Sequence, residues 1–502
     1  MFLTGPFAYK VKKPLELGFL DFSTLEKRRF FCEEELRINR RLAPELYLAV
    51  VPIAGTPENP AVEGTGAPFE YAVKMRQFAQ EGMLEQVLAR GELAPAGIDT
   101  VAAVVARFHA GLPPAEAGGH FGNAASIMDA ALQNFTQLRP LLVTPADRSA
   151  LDALRAWTEQ QHAQLARVFT QRLQDGFVRE CHGDLHLGNM VVVEGAVRIF
   201  DAIEFNPELR WIDVISEVAF LAMDLTHRRR PDLAWRFINA YLENTGDYAG
   251  VRLLRYYLVY RALVRAKVAA IRAGQPDMER AQRQALQAKC SSHLALAKEF
   301  VTHAMSAVII HHGVSGSGKT TGSQAILEAI GAIRIRSDVE RKRLHGLDAQ
   351  ARSGSAVAAD LYGKEATSAT YDRLALLAEQ VVAGGFPVLV DATFLKQVRR
   401  SEFRDLALRL SAAFAIADFR ADDATLRERL ARRAQTKGDA SEADSAVLDY
   451  QITTQDPLSE EEQALSTRFD TQRMNATQIQ AEARRMVTRL TGQPTNTRRN
   501  LE

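Results

Sequence analysis

The stretch CHGDLHLGN, residues 181–189, carries two histidines, an aspartate and an asparagine between two apolar runs that are typical of strands. The run that follows, MVVVEGAVRIFD, contains Glu194 and Gly195 and predicts a hairpin. Asp184 lies five residues before Asn189, and Asp201 ends the hairpin. Phosphoryl transfer requires a carboxylate near the attacking hydroxyl and oxygen ligands for magnesium. The stretch therefore favours a loop that serves phosphoryl transfer.

Length and composition limit the remaining possibilities. A chain of 502 residues is too long for one ordinary core and predicts two domains or three. Hydrophobic residues at 47%, charged residues at 25% and a net charge of +1 are typical of a globular protein, and they do not favour nucleic acid as a partner.

Cysteine usage and the N-terminus bear on location. Cys32, Cys181 and Cys290 lie at wide spacings that form neither a disulfide framework nor a zinc site. The lysines of MFLTGPFAYKVKKP follow its apolar residues, the reverse of a signal peptide, and no run of eighteen apolar residues occurs. We therefore expect a cytoplasmic protein that does not bind or span a membrane.

The pattern along the chain predicts two domains and a tail. The first covers residues 1–303, with a small sheet and one helix in 1–80 and a mainly helical part in 81–303. In residues 304–491, apolar strands such as IRIRSD and FPVLVDAT alternate with helices, which predicts an α/β domain with a parallel sheet. Residues 492–502 have the composition of a flexible tail.

HGDLHLGN followed by IFD resembles the catalytic loop of the aminoglycoside phosphotransferases and their choline-kinase-like relatives. This resemblance implies an α+β, protein-kinase-like first domain. It also implies that Asp184 is the base, that Asn189 and Asp201 hold magnesium, and that His182 braces the loop. The alternative is a buried polar turn between strands, and His186 taken alone is compatible with a polar pocket.

A kinase site also needs a cation on the ATP phosphates. In FAYK, Ala8 and Lys10 share one face of a strand, so a small residue meets the adenine while the lysine meets the phosphates. Lys12 lies on the same face and remains an alternative. The first helix offers three partners for this lysine: Glu33, Glu34 and Glu35. Register against Leu42 favours Glu35, and a solvated acidic face is the other interpretation.

Two further features distinguish the first domain from a protein kinase. AVKMRQF predicts the hinge, where the backbone between Arg76 and Phe78 would bind the adenine. About a hundred mainly helical residues separate it from His182 and predict a small-molecule acceptor. Only nine residues precede Lys10, so we expect the hairpin that covers the phosphates to be short or missing and the N-terminus to be truncated.

GVSGSGKT, residues 313–320, satisfies the pattern G-x-x-x-x-G-K-[ST] and lies between a predicted strand and a predicted helix. Backbone N–H groups of such a loop surround phosphates, Lys319 reaches the outer ones, and Thr320 binds magnesium. His311 and His312 are interpreted as strand-end residues. The predicted nucleotide-binding residues are Gly313, Ser315, Gly316, Ser317, Gly318, Lys319, Thr320 and Thr321.

Other charged residues follow the strands of the second domain. Asp338 lies at the carboxyl end of the next strand, with Arg336 and Arg341 nearby, and Asp391 ends a further strand where it suits the magnesium shell. Arg429 and Arg433 share a helical face that leads into a polar loop able to close over the nucleotide, and Arg432 competes with them.

This second set resembles the small P-loop kinases, among them gluconate kinase, chloramphenicol phosphotransferase and the zeta-toxin group. The resemblance implies that Asp338 activates the acceptor hydroxyl, whereas an N-cap role is the alternative. There is little room after Asp444 for the helical domain of a motor ATPase. The whole chain resembles bacterial proteins in which an aminoglycoside phosphotransferase-like domain is fused to a P-loop ATP-binding domain.

The leading hypothesis is a phosphotransferase that depends on ATP and Mg²⁺, with two nucleotide sites directed at a small hydroxyl-bearing molecule. A second hypothesis makes the first domain a nucleotide-sensing regulatory module and confines chemistry to the P-loop half. A third, a nucleic-acid-dependent ATPase or polynucleotide kinase, is disfavoured by the net charge of +1.

Overall fold

The computed structural model describes residues 1–16, 21–276, 278–302, 305–347, 363–435 and 445–491. The chain divides into two compact units. Unit 1 comprises Met1–Arg228 and Leu253–Val301, and unit 2 comprises Arg229–Arg252 and Thr302–Glu502. The segment Arg229–Arg252 falls within the predicted first domain, 1–303, but packs in unit 2. The predicted tail, 492–502, and the predicted polar loop, 436–444, lie outside the described residues.

Unit 1 begins with an antiparallel sheet of five strands and one helix packed on it. The strands are β1 (Phe2–Thr4), β2 (Phe7–Val11), β3 (Tyr47–Thr56), β4 (Asn59–Val62) and β5 (Glu70–Arg76), in the order β1-β2-β5-β3-β4. Helix α1 (Leu25–Asn39) contacts β5 and β3. The small sheet and the single helix predicted for residues 1–80 are both present. The covering strand β1 has three residues, all exposed.

The rest of unit 1 is mainly helical, as predicted. Its helices are α2 (Leu84–Ala89), α3 (Pro95–Gly111), α4 (Ala124–Leu138), α5 (Pro145–Gln174), α6 (Val214–His227) and, after α7 (Pro231–Thr245) of unit 2, α8 (Val251–Ala273) and α9 (Arg280–Thr302). Two short antiparallel pairs lie among them: β6 (Val178–Glu180) with β9 (Trp211–Asp213), and the predicted hairpin β7 (Met190–Val193) with β8 (Ala196–Ile199). None of the described helices is both long and apolar enough to cross a membrane.

Unit 2 contains the predicted parallel sheet. Its strands are β10 (Ala307–His312), β11 (Ile333–Arg336), β12 (Val388–Asp391), β13 (Ala413–Arg420) and β14 (Ser466–Asp470), in the order β11-β12-β10-β13-β14. Every residue of β10 is buried, as a central parallel strand covered on both faces requires. The chain reverses its direction of winding on either side of β10. A ligand site is therefore expected at the carboxyl end of β10.

Helices surround this sheet. They are α7, α10 (Lys319–Ile330), α11 (Ser337–Leu344), α12 (Lys364–Ala383), α13 (Gln397–Arg409), α14 (Asp423–Gln435), α15 (Ser445–Thr454), α16 (Glu460–Ala464) and α17 (Ala476–Thr491). Helix α7 belongs to the unit because Asn239 donates to Ala332 O at 2.9 Å and accepts from Arg334 N at 2.6 Å. These bonds satisfy the buried backbone beside β11.

Two candidate nucleotide sites

In unit 1, Lys10 lies between two carboxylates from distant parts of the chain. Its Nζ is 2.7 Å from Glu35 Oε1 and 2.5 Å from Asp201 Oδ1. Burial alone would lower the pKa of Lys10, but the two carboxylates outweigh it and raise the pKa well above its usual value. The ammonium group is therefore permanently charged beside the predicted metal ligand.

The contacts of the alternative lysine on β2 and of the alternative glutamates on α1 differ from those of Lys10 and Glu35. Lys12 is buried, with Nζ 2.7 Å from Glu35 Oε2, and it also pairs with Glu204, so it lies away from Asp201. Glu33 is exposed and pairs with Arg29 at 2.9 Å. Glu35 is wholly buried, so of the three glutamates it is the one that faces both lysines.

The catalytic loop predicted at residues 181–189 has internal hydrogen bonds that set its side chains. Asn189 Nδ2 donates to the backbone O and to Oδ2 of Asp184, each at 3.0 Å, so its Oδ1 is the atom that the amide can offer to a metal ion. His182 accepts from Asp184 N at 3.2 Å and donates to Phe200 O at 2.9 Å. His182 thus joins the loop to the residue before Asp201.

Asp201 has an unusual backbone conformation, and Asp184 has a lowered pKa. The backbone of Asp201 has φ of +63°, a left-handed conformation that non-glycine residues adopt only when their surroundings enforce it. Burial would raise the pKa of Asp184, but a hydrogen bond from His186 and the charge of Arg265 outweigh it and hold the pKa well below the usual range. Asp184 is therefore ionised at neutral pH.

Sequence reasoning missed the two carboxylates that hold this loop. Glu217 in α6 is fully buried and accepts from His182 N at 3.2 Å, Gly183 N at 2.6 Å and His109 Nε2 at 2.8 Å. Asp224, seven residues further along the same helix, accepts from Leu187 N at 3.1 Å. The sequence contains a signal for these two carboxylates, because two acids seven residues apart interrupt the mainly apolar run VISEVAFLAMDL.

These contacts make Glu217 strongly acidic. Burial opposes its ionisation, but hydrogen bonds from His109 and from the Gly183 backbone outweigh burial and lower its pKa to about 2. The same helix starts at Asp213, which accepts from Ile215 N at 2.8 Å and pairs with Arg172 at 2.6 Å. Asp213 thus caps the N-terminus of this helix, which is a structural role.

The predicted hinge is partly occupied by the chain itself. The N–H of Arg76 donates to Leu46 O and that of Gln77 donates to Pro6 O, both at 2.9 Å. Of the three predicted residues, Phe78 alone has no such backbone bond among the described contacts. Its ring lies 5.1 Å from that of Phe200. The Phe78 backbone is therefore the remaining candidate for adenine recognition.

In unit 2, Gly313 to Gly318 form the loop between β10 and α10, and Lys319, Thr320 and Thr321 open the helix. Lys319 Nζ lies 2.8 Å from both Gly313 O and Val314 O, so the loop wraps around the ammonium group. Gly316 and Gly318 have φ of +84° and +85°, which only glycine adopts readily.

The sides of this loop are held by other segments. Ser315 N donates to Gln451 Oε1 at 2.7 Å, and the hydroxyl of Ser317 is buried with no hydrogen-bond partner among the described residues. Arg429 donates to Gly316 O at 3.2 Å and to Thr471 Oγ1 at 2.8 Å, while Thr471 donates to Ser317 O at 2.8 Å. Arg429 therefore braces the loop. Thr471 also contacts the loop, and no sequence motif predicted this.

The remaining predicted arginines are less informative. The side chain of Arg433 lies outside the described residues. Arg432 is exposed on α14. Arg336 donates to Glu243 Oε1 at 2.7 Å, a partner from α7.

Asp391 is the last residue of β12, and only one of its two carboxylate oxygens has a hydrogen-bond partner among the described residues. Oδ1 is 3.2 Å from His311 Nδ1, whereas Oδ2 is buried with no partner among the described residues. An unsatisfied buried carboxylate oxygen is costly, so its presence beside the phosphate loop fits a magnesium ion or its water shell. Burial would raise the pKa of Asp391, but His311 and Arg336 hold it well below the usual range.

Asp338 lies just after β11, the strand that neighbours β12, and Asp391 is the last residue of β12. Asp338 is the second residue of α11, whose N-cap is Arg336, so the alternative N-cap role is not what the structure shows. Arg336 of β11 lies opposite Asp391 of β12 in the register of the sheet. Asp338 accepts a hydrogen bond from Arg341 Nη1 at 3.3 Å. His312 is 2.8 Å from Asp418 Oδ1, so both histidines before the loop contact carboxylates of neighbouring strands.

Comparisons with known proteins agree with this division. Residues 28–254 match the model of the phosphotransferase enzyme family, and residues 308–458 match that of an AAA domain. Uncharacterised proteins of Mycobacterium tuberculosis and Mycobacterium bovis are each 28% identical over 448 residues, which covers 89% of this chain and 87% of theirs.

Among solved structures, a gluconokinase from Sinorhizobium meliloti covers 38% of this chain and 95% of its own, with 23% identity and a TM-score of 0.26. An ethanolamine kinase of Plasmodium vivax covers 55% and 73%, with 11% identity and a TM-score of 0.33. The family matches make the chain a kinase-class enzyme. It consists of an aminoglycoside-phosphotransferase-like domain followed by a P-loop kinase-like domain, as the sequence predicted.

Proposed function

We propose that this protein is a phosphotransferase with two nucleotide sites, each of which uses ATP and Mg²⁺ to phosphorylate a hydroxyl group of a small molecule. One observation supports the proposal: each unit contains its own set of groups of the kinds that bind phosphates and magnesium. In unit 1 these are Lys10, Asp184, Asn189 and Asp201. In unit 2 they are the loop 313–320 and Asp391.

In the first site, the ionised Asp184 is the group that accepts the proton of the acceptor hydroxyl. His186 fixes the orientation of this carboxylate through Nε2, which lies 3.2 Å from Asp184 Oδ2. Lys10, held by Glu35, neutralises charge on the phosphates. Asn189 Oδ1 and Asp201 would hold magnesium, which would offset the charge of the transferred phosphoryl group.

In the second site, the backbone N–H groups of the loop and of the start of α10 bind the phosphates. Lys319 supplies the charge on the outer phosphates, and Thr320 and Asp391 are the magnesium ligands we propose. Asp338 is the proposed base, because it follows β11, next to β12 with Asp391 at its end. The sequence of a central strand, a phosphate loop and an adjacent carboxylate supports this assignment.

The test uses Asp184→Asn, Lys319→Ala and the double variant, in each case with ATP turnover and ATP binding as readouts. We expect each single variant to lose one component of turnover and the double variant to lose both. The acceptor is sought by thermal shift with Mg²⁺ and a non-hydrolysable ATP analogue. Turnover that neither substitution changes would overturn the proposal.

A second candidate makes unit 1 a nucleotide-sensing module and leaves chemistry to unit 2. It is favoured by the short strand β1, whose three exposed residues offer little cover to phosphates. Under this candidate, Asp184→Asn leaves turnover intact and Lys319→Ala abolishes it. The acceptor we propose for either site is a small molecule rather than nucleic acid, because the net charge is +1. The three cysteines are buried and unpaired, which supports a reducing, cytoplasmic location.

A further inference from the structure

Arg265 of α8 lies against the catalytic loop of unit 1. Its Nη1 is 3.1 Å from His186 Nε2, and His186 Nε2 is in turn 3.2 Å from Asp184 Oδ2. His186 Nδ1 accepts from Gly188 N at 3.0 Å, so the N–H of the ring lies at Nε2 and is directed at Asp184. Nε2 then has no lone pair for Arg265. The guanidinium therefore lies beside the base without a hydrogen bond to the imidazole.

Arg265 also has no carboxylate partner among the described residues. The neighbouring Arg228 differs, because it donates to Asp224 Oδ2 at 3.1 Å and to Glu85 Oε2 at 3.0 Å and is thereby neutralised. Glu85 and Asp224 are thus already paired with Arg228. The half-buried guanidinium of Arg265 acts on the charges of Asp184 and Asp224 without forming an ion pair with either.

A second cation and a neutral pair of rings complete the surroundings. Lys289 of α9 has no ion-pair partner among the described residues, and its pKa is lowered by burial and by the charges of Arg265 and Arg228. The rings of His227 and His293 stack at 3.7 Å. Burial lowers the pKa of His293 to about 3, so that ring is neutral and adds no charge. Arg265 and Lys289 are thus two neighbouring cations, neither of which forms a direct ion pair among the described residues.

We propose that the acceptor of the first site is an anionic hydroxyl compound whose carboxylate or phosphate group pairs with Arg265, with Lys289 as the second cation. This inference rests on the proposed role of Asp184, because the acceptor hydroxyl must lie beside that carboxylate. A guanidinium binds either anion through two parallel hydrogen bonds, which fixes orientation as well as affinity. The same charge repels cationic acceptors such as amino sugars.

The binding test uses inorganic phosphate and acetate as separate probes. The protein is the full chain carrying Lys319→Ala, with Mg²⁺ and a non-hydrolysable ATP analogue present so that the γ-phosphate position is filled. Ionic strength is held constant. We expect one probe at millimolar concentration to raise the unfolding midpoint by about 2 °C or more, and the responding probe distinguishes a carboxylate from a phosphate subsite.

Adding Arg265→Gln should abolish this rise, whereas Arg29→Gln, which removes an exposed arginine of α1, should preserve it. Absence of any rise, or equal rises with and without Arg265→Gln, would overturn the inference. Asp184→Asn separates the inference from the proposed function. If it leaves ATP turnover unchanged, the proposed function of the site fails, while the phosphate or acetate response still reports whether the anion subsite exists.

The kinetic test uses the acceptor found by the thermal-shift screen. Arg265→Gln should raise KM for that acceptor by about tenfold or more, with a smaller change in kcat, because the lost pair binds substrate and transition state alike. Arg265→Lys should restore part of the loss. A large fall in kcat at constant KM would assign Arg265 to the transferred phosphoryl group instead, and a neutral or cationic acceptor unaffected by Arg265→Gln would also contradict the proposal.

Discussion

The two candidate nucleotide sites consist of different kinds of chemical groups. In unit 1 the groups are side chains from five separated positions, and opposite charges hold them in place: Lys10 bridges Glu35 and Asp201, and Asn189 binds Asp184. In unit 2 most of the site is one continuous loop whose backbone conformation depends on glycine. We therefore expect the first site to lose activity or stability when a charged side chain is neutralised. We expect the second to do so when a methyl group is added to a glycine of its loop.

The largest effect is expected for the base of the first site. Asp184→Asn keeps the shape of the side chain but removes its charge, so turnover at this site should fall by about 10²–10⁴-fold. The measurement is acceptor phosphorylation in the Lys319→Ala background, which removes the contribution of the second site. An unchanged circular dichroism spectrum serves as the folding control. A loss of less than about tenfold would show that Asp184 is not the base.

Removing the central carboxylate of the first site should cost stability as well as activity. Glu35→Gln leaves Lys10 and the buried Lys12 without their shared partner and should lower the free energy of unfolding by about 3–5 kcal/mol. Glu33→Gln, two residues away on α1, removes a glutamate of an exposed pair and should cost about 0–1 kcal/mol. Urea unfolding measures both, and equal losses would contradict the charge-built description.

Glu217 should make the first site sensitive to acid. Its folded pKa of about 2 lies below the usual value of 4.5, so its stabilisation is present above about pH 5 and is lost as the pH falls towards 2. The difference in unfolding free energy between wild type and Glu217→Gln should be steady at neutral pH, at about 3 kcal/mol, and shrink on acidification.

Glu208→Gln is the matched control for that experiment. Glu208 forms an exposed pair with His120 at 2.9 Å, so its removal should change stability by about 0–1 kcal/mol. A Glu217→Gln difference that grows on acidification would reverse the assigned sign. A difference that stays constant down to pH values near 3 would show that the carboxylate is not held in its ionised form.

The smallest effect tests the backbone-built site. Gly316→Ala combines a φ of +84° with a Cβ that would lie 2.9 Å from Leu426 O, so the loop must shift. Gly346→Ala has a similar φ of +69° but meets nothing within 4 Å, and it reports the conformational strain alone. The loop variant should lose about 1–3 kcal/mol more than this control and bind ATP more weakly at the second site. Equal losses would show that the close approach of Leu426 is unimportant.

Local sequence patterns were enough to select both candidate sites. The loop at 181–189 and the loop at 313–320 are contiguous, and each lies where the flanking strands and helix were predicted. The predicted competition between Lys10 and Lys12 was not resolved by alternation, because both residues point to the same face of β2 and both reach Glu35. Only the position of Asp201 distinguishes them.

The sequence by itself determined the two-domain organisation, the kinase-like and P-loop folds and the positions of the contiguous motifs, because apolar periodicity and short-range spacing act within a few residues. Tertiary structure decided which lysine meets Asp201, which carboxylates hold the catalytic loop, and that Thr471 supports the phosphate loop. It also decided that α7 packs in unit 2 and that Arg265 lies beside Asp184. These contacts join residues far apart in the chain, and packing selects them only when each buried charge finds its partner.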